Sequence, residues 1–163
     1  MASQQAVTRR ALERALTGEG AHATMGALFE GVNWRTAGKV PNGGGTTLFE
    51  LLSHIVFWQD WVVKWLRGKA PRIPSSAAKS WPTRRTPSSA ATWTRLLRRY
   101  ERDRAVLHQC LSDVPPLFQD RGGRTALEML QTIASHNSYH AGQVVMVRKQ
   151  LGVWPPPSGG LTW

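Results

Sequence analysis

Thr125–Leu151, TALEMLQTIASHNSYHAGQVVMVRKQL, decides how the rest of this sequence is read, because it places two histidines, His136 and His140, one helical turn apart. At 1.5 Å per residue the segment makes a helix of about 40 Å. Thr125 and Glu128 have capping-box spacing at its start, and Gly152 before Pro155, Pro156 and Pro157 marks its end. Met129, Ile133, His136, His140, Val144, Val147 and Leu151 recur at threes and fours, while Glu128, Gln131, Thr132, Ser135, Ser138 and Arg148 fall mostly on other faces. Both imidazoles therefore lie in the apolar stripe. A desolvated imidazole costs free energy unless its nitrogens find partners. Residues at i and i+4 stand close enough to share one ion, so either a metal or ordinary core hydrogen bonds would satisfy the pair.

The chain of 163 residues, 41% of them hydrophobic, suits a single domain, 1–163, with one core. The start, MASQQAVTRRALERAL, has no continuous apolar run before a small-residue cleavage site. The most hydrophobic stretch, Leu48 to Leu66, is interrupted by Glu50, His54, Asp60 and Lys64. The expectation is a soluble, unexported, cytoplasmic protein with no membrane association. Cys110 is the only cysteine, which excludes an intrachain disulfide and a thiolate metal cluster, so any metal site must use nitrogen and oxygen. The net charge of +11 arises mainly from arginine clusters, the densest being Arg95, Arg98, Arg99, Arg102 and Arg104. These lie largely opposite the stripe Trp93, Leu96, Tyr100, Leu107 and Leu111, as a solvated helix face would; attraction of a polyanion or of an acidic small molecule is the alternative.

In chain order, Ser3 to Leu16 reads as a helix and Ala21 to Gly31 as a second helical piece carrying Met25, Leu28 and Phe29. Val32 to Thr46, with Pro41 and Gly43 to Gly45, reads as loop. Thr47 and Glu50 repeat the capping-box spacing and open a helix running to about Arg67. On its wheel Leu51, His54, Trp58, Trp61 and Trp65 share a face, which makes His54 a third inward histidine. Leu48, Leu52, Val56 and Val63 make its other faces apolar too, so it should touch another helix or another subunit on more than one side. Gly68 to Ser89, rich in proline and serine, is a long connection, and a helix from Ala90 to Leu111 follows, ended by Pro115 and Pro116. Strand-like alternation, internal repeats and a phosphate-binding glycine loop are missing.

Three imidazoles leave an open metal position for water or substrate, as in catalytic zinc sites, and imidazole suits zinc, nickel, iron and copper alike. Asn137, Ser138 and Tyr139 between the paired histidines replace the glutamate that a His-Glu-x-x-His peptidase needs, which argues against that class. The segments TLFELLSHIVFWQDW and SHNSYHAGQVVMVRKQLGVWPPP, and more loosely GEGAHATMGALFEG, resemble the DinB/YfiT-like superfamily from the first helix to the tail. The resemblance implies an all-α four-helix bundle in up-down-down-up order, for which Gly68 to Ser89 would return the chain across the bundle. It also implies that His54, His136 and His140 bind a divalent metal ion at one end of that bundle. Members with known activity use the metal to activate a low-molecular-weight thiol, as S-transferases or isomerases, and the family often forms homodimers.

On this reading the chain is a metal-dependent enzyme acting on a small-molecule substrate, with zinc, nickel or iron as its ion. A non-catalytic metal- or ligand-binding bundle is the alternative, and specific nucleic-acid binding is not expected. Around the ligands, Glu50 lies one turn before His54, Asn137 and Tyr139 adjoin the pair, Trp58 is placed to wall a pocket, and the resemblance puts His22 near the bundle mouth. Each also has a purely structural reading: cap for Glu50, packing or surface polarity for Asn137 and Tyr139, core for Trp58, loop for His22.

Overall fold

A computed structural model describes residues 3–113 and 117–160. Pro115, Pro116 and the last three residues of the tail fall outside the described residues. Those described are helical, without a strand: α1 (Gln4–Thr17), α2 (Trp34–Ala37), α3 (Leu48–Leu66), α4 (Ala90–Asp113) and α5 (Ala126–Gln150), with a 3-10 turn at Ala77–Ser80.

Local chemistry sets most boundaries. Ser3 caps α1 through its side chain, and Gly18 closes the helix at φ 79°, a left-handed conformation that costs glycine little. Thr47 and Glu50 form a complete capping box at α3, and Thr125 and Glu128 do the same at α5. Each satisfies two amide donors that the first helical turn leaves without partners.

Two expectations about the N-terminal third are corrected. Ala21–Gly31 is a run of turns and not a helix. Its apolar side chains Met25, Leu28 and Phe29 are buried as expected, but its carbonyls are used by distant side chains. Tyr100 Oη donates to Met25 O at 2.6 Å, and Arg148 donates to the carbonyls of Ala27, Leu28 and Glu30. Within the 32–46 loop, α2 forms because Asn33 caps it, accepting from the amides of Arg35 and Thr36.

Arg148, on α5, is a third correction. It is 2% exposed, not on a surface face, and its guanidinium also donates from Nε and Nη2 to Val153 O. One side chain thus ties α5 to the N-terminal turns and to the tail that follows the helix.

The core has two apolar clusters. One joins Leu48 to Val56 of α3 with Trp93 and Tyr100 of α4, Ala141, Val144 and Val147 of α5, and the buried side chains of the N-terminal turns. The other joins Val62, Val63 and Leu66 of α3 with Leu107, Cys110 and Leu111 of α4, Ala126 to Ala134 of α5, and Leu12 and Leu16 of α1. Helix α3 lies against both α4 and α5, and α1 against α5 and α4. Leu48, Leu52, Val56 and Val63, which make α3 apolar all round, are therefore buried inside the chain itself.

The segment between α3 and α4 follows α3 back toward its start. Trp61 Nε1 donates to Arg72 O at 3.2 Å, His54 Nδ1 to Ser80 O at 3.2 Å and Thr47 Oγ1 to Arg85 O at 2.7 Å. As the connection advances, its contacts on α3 move from residue 61 to residue 47.

Candidate metal centre

His54 of α3 and His136 and His140 of α5 meet between these two helices, in a group with one ring nitrogen from each lying within 4.8 Å of the others. The Nε2 atoms of His54 and His136 are 3.2 Å apart, and the ring centroids of His136 and His140 are separated by 4.5 Å. A tetrahedral zinc ion with bonds of about 2.0–2.1 Å spaces its ligand atoms about 3.3 Å apart. The shortest approach in the group matches that edge.

Two of the rings are oriented by their far nitrogens. His54 Nδ1–H donates to Ser80 O, and His140 Nδ1–H donates to Gln143 Oε1 at 2.6 Å. Both bonds fix the tautomer that leaves Nε2 with its lone pair. Trp81 lies flat on His54, with centroids 4.0 Å apart and planes within 10°, and meets His140 edge-on. His136 is held differently: Trp58 meets its ring edge-on, while its Nδ1 is buried without a hydrogen-bond partner.

Burial keeps the rings uncharged. It pushes His54 down to about 4, with His140 adding to the effect and the Ser80 carbonyl opposing it. Burial likewise pushes His136 down to about 4, reinforced by the proximity of His140 and His54 and opposed by the Asn137 side chain. His140 is lowered by burial against the raising effect of Gln143. Only a neutral imidazole can donate to a metal, so the site presents the protonation state that coordination needs near pH 7. The donor set, its orientation and its charge state all fit a divalent ion. Among the described residues no fourth histidine, cysteine or carboxylate joins the group.

The remaining expected site residues divide. Trp58 faces His54 as well as His136 and lines a cavity of about 290 Å³ that opens beside His136. Tyr139 meets His140 edge-on at 5.0 Å but is 67% exposed. Asn137 is 2% exposed, and its side chain lies close enough to the His136 ring to oppose the effect of burial there, although its Oδ1 makes no well-formed hydrogen bond. Glu50 is occupied by the α3 cap, where Thr47 N donates to Oε2 at 2.8 Å, and it pairs with Arg85 at 3.3 Å. His22 is bonded to Ser138 Oγ at 2.9 Å and to Ala23 O at 2.8 Å, and Ser138 lies on the side of α5 away from His136 and His140.

Sequence reasoning missed Ser80, Trp81 and Gln143. Gln143 carried a readable signal, since it lies three residues after His140 on the same helix. Ser80 and Trp81 carried none, because their contacts with His54 depend on the path of the connection.

The family model of the DinB superfamily matches residues 6–144, and the chain belongs to that superfamily. No curated protein and no solved structure matches it. The match contains all three histidines, the whole of α3, and α5 as far as Val144. No helix among the described residues is long and apolar enough to cross a membrane.

Proposed function

We propose that this chain is a divalent-metal-dependent enzyme, most consistent with transfer or isomerisation through a low-molecular-weight thiol, in which His54, His136 and His140 hold zinc, nickel or iron. The observation that carries this is the convergence of three neutral imidazoles, two of them oriented by Ser80 and Gln143, beside a cavity. A divalent ion held there would supply Lewis acidity, lowering the pKa of a thiol or water that reaches it. The chain's own residues orient the rings, and Trp81 covers one face of His54 against water. A purely structural ion is the less supported reading, because three protein ligands leave coordination open and Trp58 and His136 line a cavity. Conjugation assays with several cellular thiols and electrophiles, comparing metal-loaded wild type with His54→Ala, test the proposal. Turnover that depends on metal and on His54 supports it, and its absence with every pair counts against it.

The up-down-down-up order of a single bundle domain belongs to the same reading. It is supported by the grouping of the starts of α3 and α4 in one cluster and their ends in the other, whereas α5 enters these clusters in reverse. It is further supported by the connection that tracks back along α3.

A homodimer is proposed on different grounds from those the sequence suggested, since α3 is covered within the chain. Its support is an apolar strip on the outer face of α5, where Tyr139 is 67% and Met146 56% exposed on either side of Gly142. Sedimentation at micromolar concentration should give twice the monomer mass, and a monomer would remove the claim. The basic residues Arg95, Arg98, Arg99 and Arg102 are exposed on α4, as a solvated face requires.

A further inference from the structure

The cavity beside His136 has an unusual balance of walls. Trp58 and Trp61 of α3 face Met129 and Ile133 of α5 across about 290 Å³, with His136 at one end, and among the described residues the only charged side chain lining it is Arg124. Arg124 sits at the Met129 end, where its Nη1 approaches Met129 Sδ at 3.8 Å. The helix between Met129 and His136 covers ~10 Å. A larger hollow of about 510 Å³ shares Trp61, Ile73 and Arg124 with this cavity, and its other charged lining residues are Lys69 and Arg121. Among the described residues no carboxylate lines either space.

Arg124 acts on Glu128 only at a distance and has no carboxylate in contact among the described residues. A thioether is a weak acceptor, and among the described residues Arg124 makes no ion pair within 4.0 Å. The acidic side chain nearest in effect, Glu128, is taken by the α5 cap, accepting from Thr125 N at 2.6 Å and Thr125 Oγ1 at 2.8 Å. Arg121, by contrast, donates to Leu66 O and lies over the Trp65 ring. A guanidinium fork whose side-chain acceptor is only a thioether, at the mouth of an aromatic slot, matches a carboxylate in geometry and in charge.

We infer that this slot selects a small molecule with a flat apolar body ~10 Å long and a carboxylate, the body lying between Trp58, Trp61 and Ile133 and the carboxylate on Arg124. The inference rests on the metal reading only for which end reacts: the end at His136. Cationic and neutral analogues of the same shape are discriminated against, because they leave Arg124 without a partner.

The test uses 2-naphthoate and its uncharged isostere 2-naphthamide, titrated into the full-length zinc-loaded protein and followed by tryptophan fluorescence and calorimetry. Wild type should bind the carboxylate at least about tenfold more tightly than the amide. Arg124→Gln should bring the two within about twofold while its zinc content stays that of wild type. His140→Ala, whose ring does not line the slot, should keep the preference. A preference that survives Arg124→Gln and vanishes in His140→Ala places the anion on the ion; it overturns this inference and leaves the metal reading standing. Equal binding of the two probes by wild type, or no binding of either, overturns it as well. An Arg124-dependent preference in protein that takes up no zinc upholds the slot and defeats the metal reading.

Discussion

Arg148→Met removes a guanidinium that donates to four backbone carbonyls: those of Ala27, Leu28, Glu30 and Val153. Methionine keeps much of the apolar stem, so the change isolates the polar head. The Leu28 bond, at 2.7 Å, is buried, and the other four bonds, two of them to Val153 O, are partly accessible to water. Bonds to charged groups contribute about 1.5–3 kcal/mol each, and a stranded buried acceptor costs about 1–3 kcal/mol. Water can replace part of the four accessible bonds, and the burial that lowers the Arg148 pKa is a cost that disappears with the side chain. A net loss of about 4 kcal/mol remains. For a chain of this size that is a fall in Tm of about 8–16 °C. Urea titration with tryptophan fluorescence measures it directly, with the m-value checking that the transition stays cooperative. Arg148→Lys should recover less than half, because one ammonium cannot serve carbonyls on both the N-terminal turns and the tail. A loss under about 1 kcal/mol for Arg148→Met would refute the idea that this side chain pins those segments.

Gln143→Leu takes the acceptor from His140 Nδ1, and should weaken zinc binding by about 10–100-fold in competition with a chromophoric chelator while leaving the helix content unchanged. Metal-free protein should lose stability as pH falls from about 6.5 to about 4. His54 and His136 have folded values near 4, below their unfolded value of about 6.5. The unfolded chain therefore binds more protons across that window, and stability rises with pH within it. The contribution is complete above about pH 6.5 and amounts to on the order of 3 kcal/mol per ring; denaturant melts at pH 4, 5, 6 and 7 read it, and a flat profile would contradict the burial described. Gly18→Ala should destabilise by more than the ~1 kcal/mol of a left-handed alanine, because the new methyl group meets the His22 ring. Proton NMR of His22 in that variant should show its bond to Ser138 perturbed.

The parts of the fold that could be read in advance are those whose cause is local. The capping boxes at Thr47 and Thr125 need only residues three apart, and the inward placement of His54, His136 and His140 needs only helical periodicity. What escaped depends on residues far apart in the chain. Ala21–Gly31 has helical spacing, yet Tyr100 and Arg148, more than seventy residues away, occupy its carbonyls. Arg148 reads as a surface residue by its charge, since only the assembled structure shows the ring of carbonyls that makes its burial tolerable. The same holds for the site, where three ligands were legible but the Ser80 carbonyl and the Trp81 ring that orient His54 were not.

The most direct test of the central claim is the zinc or nickel content of the full chain after equilibrium dialysis, measured by elemental analysis on wild type, His54→Ala, His136→Ala and His140→Ala. About one ion per wild-type chain is expected, with most of it lost in each variant and chelation of the wild type lowering its Tm at pH 7.5. At free metal a hundredfold above its Kd that change corresponds to about 2.7 kcal/mol. Wild type that takes up no ion, or variants that retain the full wild-type content, would contradict it.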